Sequence, residues 1–252
     1  MTHTSEEPAP SKRPHPVLRA YYEREGERQV FVRRLFDETA ADYDHIERVM
    51  SLGTGSWYRR QALLRAGLEP GMRVLDVAVG TGLVAREALA VVGASGLVVG
   101  LDPSAGMLRQ ARTALPAPLV QGFGERLPFA EGRFDMVTLG YALRHVSDLD
   151  RLFREFRRVL RPGGIVCMLE IALPERAMSR SLLKWYIRGL GPLLSRIVAR
   201  TPQAPTLYRY FWDTIETCVP PARVLEALRE AGFGEAKQRV DARIFAEYTA
   251  RR

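Results

Sequence analysis

This chain of 252 residues has no long apolar run, only two cysteines and no cluster of metal-ligating residues. No uninterrupted apolar stretch reaches the roughly 18 residues that cross a bilayer as a helix, so we predict no transmembrane segment. The two cysteines, Cys167 and Cys218, are too few for a disulfide framework or a zinc site. No cluster has metal-ligand spacing, so we predict that the protein binds no metal. Residues 1–16 are polar and rich in proline, unlike a secretory signal, and a cytoplasmic location is expected.

Lysine is also scarce, although the chain is basic. The net charge is +8, and only three of the 37 basic residues are lysine. A positive charge of this size suits a nucleic acid or an anionic membrane surface as partner. We predict no nucleic-acid partner, because no nucleic-acid-binding motif is present and most basic residues are interspersed with acidic ones.

One segment, residues 176–200, is basic and contains no acidic residue. Its cations are Arg176, Arg180, Lys184, Arg188, Arg196 and Arg200. Leucines and aromatic residues such as Trp185 and Tyr186 lie between them, as in an amphipathic helix. Such a helix is suited to rest on an anionic membrane, to cover a pocket as a lid, or to form the face of a homodimer. The sequence leaves these three alternatives open.

The order of apolar patterns along the chain predicts an α/β fold. Short apolar runs with the length of buried parallel strands occupy residues 72–78, 97–101, 134–139 and 165–171. Segments with helical spacing separate them at residues 82–92, 104–114 and 147–160. Strands that alternate with helices in this way build a doubly wound parallel sheet.

The remaining segments are arranged around that core. The predicted order is a flexible tail (1–20), a helical cap (21–70), the core (71–173), a helical insertion (174–216), and a closing helix with two strands (217–252). Gly191-Pro192 is expected to break the helices of the insertion. His15 lies in the predicted tail and is expected to have no role.

A glycine-rich turn follows the first predicted strand. The segment from Val74 to Gly82 passes from that strand into a helix, and glycines there let a ligand approach the backbone closely. The residues from Gly80 onward also satisfy the GxGxxA pattern of dinucleotide sites, which alone is a weak signal. Asp76 favours a different ligand, because its carboxylate would repel a pyrophosphate but attract the sulfonium and ammonium groups of S-adenosylmethionine. Asp102, at the end of the second strand, is placed to accept both hydroxyls of a ribose.

Several segments together resemble a known family. The glycine-rich turn, with Val99–Ser104, Leu127–Phe129 and Phe134-Asp135, resembles the class I S-adenosylmethionine-dependent methyltransferases. More specifically, the chain resembles the ubiquinone/menaquinone biosynthesis C-methyltransferases over about residues 29–235. The segments that carry this resemblance are Phe36-Asp37, Tyr43-Asp44, Met50–Gly53, Leu143–Asp148, Arg158–Gly164, Leu169-Glu170 and Tyr208–Tyr210. The resemblance implies a seven-stranded Rossmann-like sheet with an antiparallel last strand, and S-adenosylmethionine as cofactor.

The motif and the resemblance together give the residues expected to contact the cofactor. They are Asp76, Gly80, Thr81, Gly82, Asp102, Phe123, Gly124 and Gly140. Three of them depart from the residues usual in the family. Phe123 and Gly124 replace an Asn-Ala or Asp-Ala pair near the adenine, so Phe123 is expected to contact the adenine by apolar packing. Gly140 replaces a small hydroxyl residue.

Three residues are candidates for the chemistry. His145 follows the fourth strand, where open α/β sheets place their ligands, and its imidazole can accept a proton at neutral pH. Asparagine is usual there in the family, and a structural hydrogen bond is the alternative role for His145. Arg144 needs a partner, either a substrate oxygen or a carboxylate, because a buried unpaired arginine is costly. Tyr43 resembles the family's pocket tyrosine.

The predicted reaction is methyl transfer from S-adenosylmethionine to a ring carbon of a prenylated hydroquinone. One alternative is C- or O-methylation of another hydrophobic small molecule. A second is a catalytically silent scaffold that binds S-adenosylmethionine within a biosynthetic complex. The sequence favours the first and leaves the other two open.

Overall fold

Seven strands form the central sheet of the computed structural model, which describes residues 12–198 and 201–252. They are β1 (Arg73–Val77), β2 (Leu97–Asp102), β3 (Leu119–Gln121), β4 (Phe134–Gly140), β5 (Leu160–Ile171), β6 (Gly234–Asp241) and β7 (Phe245–Arg251). Their order across the sheet is β3-β2-β1-β4-β5-β7-β6. Neighbours from β3 to β5 are parallel, whereas β7 runs antiparallel to both β5 and β6. The predicted seven-stranded, doubly wound sheet with an antiparallel last strand is confirmed.

Helices cover both faces of the sheet. One face carries α3 (Gly55–Ala66), α4 (Leu83–Val92) and α5 (Ala105–Ala114), and the other carries α6 (Leu149–Val159) and α10 (Pro221–Glu230). In α6 the buried positions Leu149, Leu152, Phe153 and Phe156 recur at helical spacing, which places them on one side of the helix. The order of strands reverses between β1 and β4, so the carboxyl ends of these strands form the crevice in which open α/β sheets bind ligands.

Two groups of helices lie at this end of the sheet. The cap consists of α1 (Glu25–Thr39), α2 (Tyr43–Met50) and α3, and the insertion consists of α7 (Ala177–Trp185), a π-helical turn (Tyr186–Leu190), α8 (Gly191–Val198) and α9 (Ala204–Thr217). Helices α1, α2 and α9 share an apolar core that includes the fully buried Ile46, Tyr208 and Trp212. Burial of a side chain such as Ile46 contributes about 1.5–3 kcal/mol, so this core holds cap and insertion together.

The predicted break at Gly191-Pro192 is wrong. Helical backbone continues from the π-helical turn into α8, and the Gly191 N–H donates to the carbonyl of Tyr186, five residues earlier. Pro192 has no N–H and follows directly, so the helix accommodates the proline at a widened turn instead of ending there. Of the predicted basic segment, Arg200 lies outside the described residues. Within the described parts of the chain, no helix has the length and apolar character needed to cross a bilayer.

The predicted flexible tail is also wrong from residue 12 onward; residues 1–11 lie outside the described part of the chain. The carbonyls of Lys12 and Pro14 accept hydrogen bonds from the N–H groups of Leu149 and Val219, at 2.8 and 2.7 Å. His15 is buried, and its carbonyl accepts a hydrogen bond from Arg28 at 2.8 Å. Pro14 and Pro16 have no N–H to donate within the segment, and the carbonyls of the segment accept hydrogen bonds from the core instead.

Candidate active site

The turn between β1 and α4 adopts a backbone that favours glycine. Gly80 and Gly82 have φ angles of +57° and +95°, in the left-handed region. Ala78 is held at +53°, a conformation that costs a residue other than glycine about 1–3 kcal/mol. A Cβ atom at Gly82 would lie 2.4 Å from Leu115 Cδ1, so packing also requires glycine there. The turn therefore brings its backbone close to whatever occupies the crevice.

Asp102, at the end of β2, fixes the position of this turn. Its Oδ2 accepts a hydrogen bond from the Gly80 N–H at 2.8 Å, and its Oδ1 accepts one from the Ser104 N–H at 2.8 Å. Burial raises the pKa of Asp102 to about 6, so the carboxylate is charged at neutral pH. Each carboxylate oxygen can accept more than one donor, so Asp102 can still bind hydroxyl groups of a ligand.

A cavity of about 110 Å³ lies beside Asp102, and we call it the small pocket. Five of the predicted cofactor residues line it, namely Gly80, Asp102, Phe123, Gly124 and Gly140. Gln29 and Arg33 of α1 lie at its rim, where Arg33 is exposed. The structure thus brings most of the predicted cofactor residues to one place.

Packing explains the two glycines that depart from the usual family residues. A Cβ atom at Gly124 would lie 2.7 Å from Leu152 Cδ1 and 2.9 Å from Val77 Cγ1. A Cβ atom at Gly140 would lie 2.6 Å from Val84 Cγ2. Because Leu152 and Val84 fill the space that a side chain would need, glycine is required at both positions.

A second cavity of about 310 Å³ adjoins the small pocket, and we call it the large cavity. Tyr43, Ala78, Gly80, Gly140 and Tyr141 line both, so the two spaces lie side by side. Apolar side chains from the cap and the insertion form much of the wall of the large cavity, and they are Ile46, Met50, Leu52, Leu183, Ile187 and Phe211. Ligands in the two spaces would therefore be close neighbours.

Three predicted cofactor residues do not line the small pocket. Asp76 is buried beneath the turn, where it accepts a hydrogen bond from Thr138 Oγ1 at 2.6 Å. Burial raises the pKa of Asp76 to about 7. Thr81 lines the large cavity instead and donates its hydroxyl to Asp44 Oδ1 at 2.5 Å. Gly82 acts through the backbone of the turn.

Arg144 is buried and forms an ion pair with Glu170 of β5. Glu170 also accepts the Leu143 N–H at 2.9 Å, and the Arg144 guanidinium lies 5.4 Å from the ring centroid of Phe211. The structure thus shows the carboxylate, one of the two partners that the sequence leaves open for Arg144. Arg144 also lines the large cavity, and its Nε has no hydrogen-bond partner among the described residues.

His145 lines the small pocket between two aromatic rings. Its ring centroid lies 5.3 Å from that of Phe36 and 5.4 Å from that of Tyr210. Neither ring nitrogen has a hydrogen-bond partner within residues 12–198 and 201–252, so the structural hydrogen bond considered from the sequence is not observed there. Burial, with the positive charge of Arg144, lowers the pKa of His145 well below its ordinary value, so the imidazole is neutral at pH 7.

Two tyrosines stand where the two spaces meet. Burial, reinforced by the charge of Glu47, raises the pKa of Tyr43 to about 12, so its hydroxyl stays protonated at neutral pH. Sequence reasoning missed the second, Tyr141, which follows β4 directly and has a φ of +58°. A bulky residue in this left-handed conformation is strained, and such strain is found where a side chain must reach a site. Its position just past a central strand was the available signal.

The sequence analysis also missed two carboxylates that fasten the cap to the crevice. Asp37 Oδ1 accepts hydrogen bonds from Ser104 Oγ and the Gly106 N–H, both at 2.7 Å, at the start of α5. Asp44 accepts the hydroxyl of Thr81 on the glycine-rich turn. Both residues stand in the segments Phe36-Asp37 and Tyr43-Asp44 that carry the resemblance, which was the signal for them.

Comparisons with known proteins agree with this geometry. A profile of the ubiE/COQ5 methyltransferase family matches residues 23–250. The ubiquinone/menaquinone biosynthesis C-methyltransferase UbiE of Hahella chejuensis is 33% identical over 82% of this chain and 85% of its own. The demethylmenaquinone methyltransferase of Symbiobacterium thermophilum is 34% identical over 83% of this chain and 87% of its own. The crystal structure of a SAM-dependent methyltransferase from Aquifex aeolicus, 17% identical, has a TM-score of 0.60 and covers 82% of this chain and 97% of that one.

The sheet order and the crevice at its point of reversal define a class I S-adenosylmethionine-dependent methyltransferase. Within that class, the chain belongs to the ubiE/COQ5 methyltransferase family. The predicted family, class of enzyme and cofactor are confirmed. No group of three or more metal-ligating side chains occurs in the part of the chain that the structure describes.

Proposed function

We propose that this enzyme transfers a methyl group from S-adenosylmethionine to a ring carbon of a prenylated hydroquinone. The observation that carries the proposal is that the large cavity lies beside the small pocket, with Gly80 and Gly140 lining both. At about 310 Å³, the large cavity lies at the lower end of the range of sites for small organic ligands, about 300–1,000 Å³. The names of the relatives from Hahella and Symbiobacterium support a quinone precursor as substrate.

The residues of the small pocket fit the cofactor. Asp102 would accept the ribose hydroxyls, Phe123 would pack against the adenine, and the backbone at Gly80 leaves room for close approach. When bound there, S-adenosylmethionine supplies an electrophilic methyl group. Asp37 and Asp44 would keep the cap closed over it through their hydrogen bonds to Ser104 and Thr81.

We expect Asp102→Ala to weaken cofactor binding. The substitution removes a charged acceptor, and each hydrogen bond to a charged group contributes about 1.5–3 kcal/mol. The calorimetric Kd for S-adenosylhomocysteine should therefore rise about 10- to 100-fold. Asp135→Ala is the matched control, because Asp135 also accepts a backbone N–H, from Arg73 at 2.6 Å, but lines neither space. Equal affinity of Asp102→Ala and the wild type would contradict the assignment.

The side chains around the junction supply the rest of the chemistry. A hydroquinone hydroxyl resembles tyrosine, with a pKa of about 10, so it is mostly protonated at neutral pH. Loss of that proton makes the adjacent ring carbon nucleophilic. Once this carbon has gained the methyl group, it releases its own hydrogen as a proton and the ring regains its aromaticity. Arg144 stays charged and would stabilise the phenolate oxygen. Neutral His145, which lines the small pocket but not the large cavity, would accept the proton through a water or orient the water that accepts it. Tyr43 would donate a hydrogen bond from its hydroxyl.

The insertion supports a peripheral position at the cytoplasmic face of a membrane. A long prenyl tail exceeds the large cavity, so it must extend past the rim, where Leu52 is exposed. Large apolar side chains of the neighbouring helices are exposed as well, and they are Met178, Leu182, Trp185 and Leu193. Arg176 and Arg180 lie close to these residues in the sequence, on either side of Met178. Exposed apolar side chains beside cations are typical of helices that lie on anionic lipid.

Vesicle co-sedimentation tests this contact. We expect the protein to bind phosphatidylglycerol vesicles and to be released as salt rises from 0.1 to 1 M, because the screening length falls from about 10 to 3 Å. Trp185→Ser should weaken binding at low salt, and Trp57→Ser, an equally exposed tryptophan of α3, serves as control. If the protein does not bind the vesicles, or if its binding is independent of salt concentration, a lid or a homodimer face is favoured for the insertion.

Turnover with defined substrates tests the reaction itself. The enzyme, S-adenosylmethionine and a reduced 2-prenyl-1,4-dihydroxynaphthalene should give S-adenosylhomocysteine and a ring-methylated product, with the new carbon–methyl bond located by mass spectrometry and NMR. An oxygen-methylated product would overturn C-methylation. Cofactor binding without turnover of any quinol in a lipid extract would favour another hydrophobic substrate or a silent scaffold.

A further inference from the structure

A polar cluster interrupts the apolar wall of the large cavity. Glu47 of α2 and Arg59 of α3 form an ion pair, and both line the cavity together with Ser51. The Arg59 side chain is only 3% exposed, and its guanidinium lies 5.8 Å from the ring centroid of Tyr141. The charges of Glu47 and Arg59 act on the pKa values of both Tyr43 and Tyr141. The cluster therefore lies near the junction where methyl transfer is proposed.

Two polar atoms of this cluster lack a partner. Arg59 Nε and Ser51 Oγ are buried, and neither has a hydrogen-bond partner among the residues that the structure describes. Buried polar groups in folded proteins are nearly always hydrogen-bonded, because leaving one unsatisfied is costly. Because the cluster lines a cavity, an oxygen of a bound ligand or a water there can supply the missing partner.

Helix α3 leaves room for the cluster by beginning with glycine. A Cβ atom at Gly55 would lie 2.4 Å from Glu47 Oε1 and 2.7 Å from Arg59 Nη1. The φ angle of Gly55 is not in the left-handed region, so its backbone does not require glycine. A side chain at this position would therefore displace the ion pair from its present place.

We propose that Glu47, Ser51 and Arg59 bind the second oxygen of the aromatic substrate, so that the enzyme selects a 1,4-dihydroxyarene over a ring with one hydroxyl. This inference rests on the proposed function and assigns the residues that recognise the second hydroxyl of its substrate. Arg59 and Ser51 donate to the ring oxygen, and the Glu47 carboxylate accepts its O–H. A quinone carbonyl has no proton for Glu47, so the same cluster discriminates against the oxidised ring.

Two arenes measure this selection. 2-Geranyl-1,4-dihydroxynaphthalene carries both hydroxyls, and 3-geranyl-1-naphthol keeps only the hydroxyl next to the open ring carbon. We expect the wild type to prefer the diol about 10- to 100-fold in kcat/KM, the range for one hydrogen bond to a charged group. Binding of each arene to the enzyme saturated with S-adenosylhomocysteine, measured by calorimetry, should show the same preference without turnover.

Three variants test whether the cluster causes the preference for the diol. Arg59→Met and Ser51→Ala remove a donor, and Gly55→Ala displaces the ion pair while keeping its charges. All three should lower kcat/KM for the diol more than for the mono-ol, with a difference of about 10-fold or more for Arg59→Met. Arg65→Met is the matched control, since Arg65 lies on the same helix and pairs with the buried Glu247, but lines neither space.

The outcomes separate this inference from the proposed function. Equal losses on both arenes would make the cluster structural, and a wild type without preference would overturn the inference while the proposed function stands. A wild type that binds S-adenosylhomocysteine but methylates neither arene would overturn the proposed function and this inference with it. Loss of the preference in Arg65→Met as well would show that it reflects the stability of α3 rather than the cluster.

Discussion

His145→Ala is expected to lower kcat about 10²- to 10⁴-fold, the usual contribution of a general base, with little change in the Kd of the cofactor. The pKa of His145 is lowered by burial and by Arg144, so protonation of its imidazole should lower the wild-type rate at pH values well below 6.5. The comparison with His145→Ala isolates this limb, because Asp76 and Asp102, with pKa values of about 7 and 6, titrate in both proteins. His145→Ala should lose this acidic limb of the pH–rate profile. A variant that keeps the limb would show that His145 is not the proton acceptor.

His15 provides the matched control for this experiment. Burial and the neighbouring Arg28 lower the pKa of His15 to about 4, but its side chain lines neither of the two spaces. His15→Ala should therefore keep the wild-type pH profile. His145→Asn distinguishes the two proposed roles, because asparagine can orient a water but cannot take a proton at neutral pH. More activity in His145→Asn than in His145→Ala would favour orientation.

Arg144→Met is expected to affect both stability and rate. Removing one partner of a buried ion pair leaves Glu170 uncompensated and should lower the free energy of unfolding by about 3–5 kcal/mol. Loss of a charged donor to the phenolate should lower kcat about 10²- to 10³-fold. Denaturant unfolding and initial rates at saturating cofactor measure the two effects.

A double variant separates these effects. Arg144→Met with Glu170→Gln removes both charges, and the glutamine amide can still accept the Leu143 N–H. We expect the free energy of unfolding to recover much of its loss while kcat stays low. Recovery of kcat together with stability would mean that Arg144 acts only by holding Glu170 and the loop after β4.

The strands of the core could be predicted because burial on both faces leaves a continuous apolar run. β1, β2 and β4 match the predicted runs to within one residue at each end. β5 begins at Leu160, five residues before its predicted run. β3, Leu119–Gln121, carries no such run, because its three residues are half-buried or exposed at the edge of the sheet. The ordered structure of residues 12–20 could not be predicted for a related reason. Backbone carbonyls hold this segment, and side-chain patterns give no information on them.

The candidate site was predictable where one motif holds its residues together. Gly80 and Asp102 lie one hydrogen bond apart because the turn and the end of β2 are adjacent in the sheet. The partner of Arg144 could not be derived, because Glu170 is 26 residues away and only the register of β4 with β5 brings them together. Tyr141 and the Glu47–Arg59 pair were missed for the same reason, since their meeting depends on how the cap packs over the strands.

The two neighbouring spaces have different rims, which affects the order in which the two reactants bind and the products leave. Arg33 of α1 lies at the rim of the small pocket, whereas Leu52 and Leu183 lie at that of the large cavity. Exchange of the spent cofactor does not need to follow the path by which a prenylated ring leaves. The enzyme can renew its methyl donor while the ring it has just modified, or the next one, is still held by its tail. We therefore expect that either reactant can bind first, with no compulsory order in the catalytic cycle.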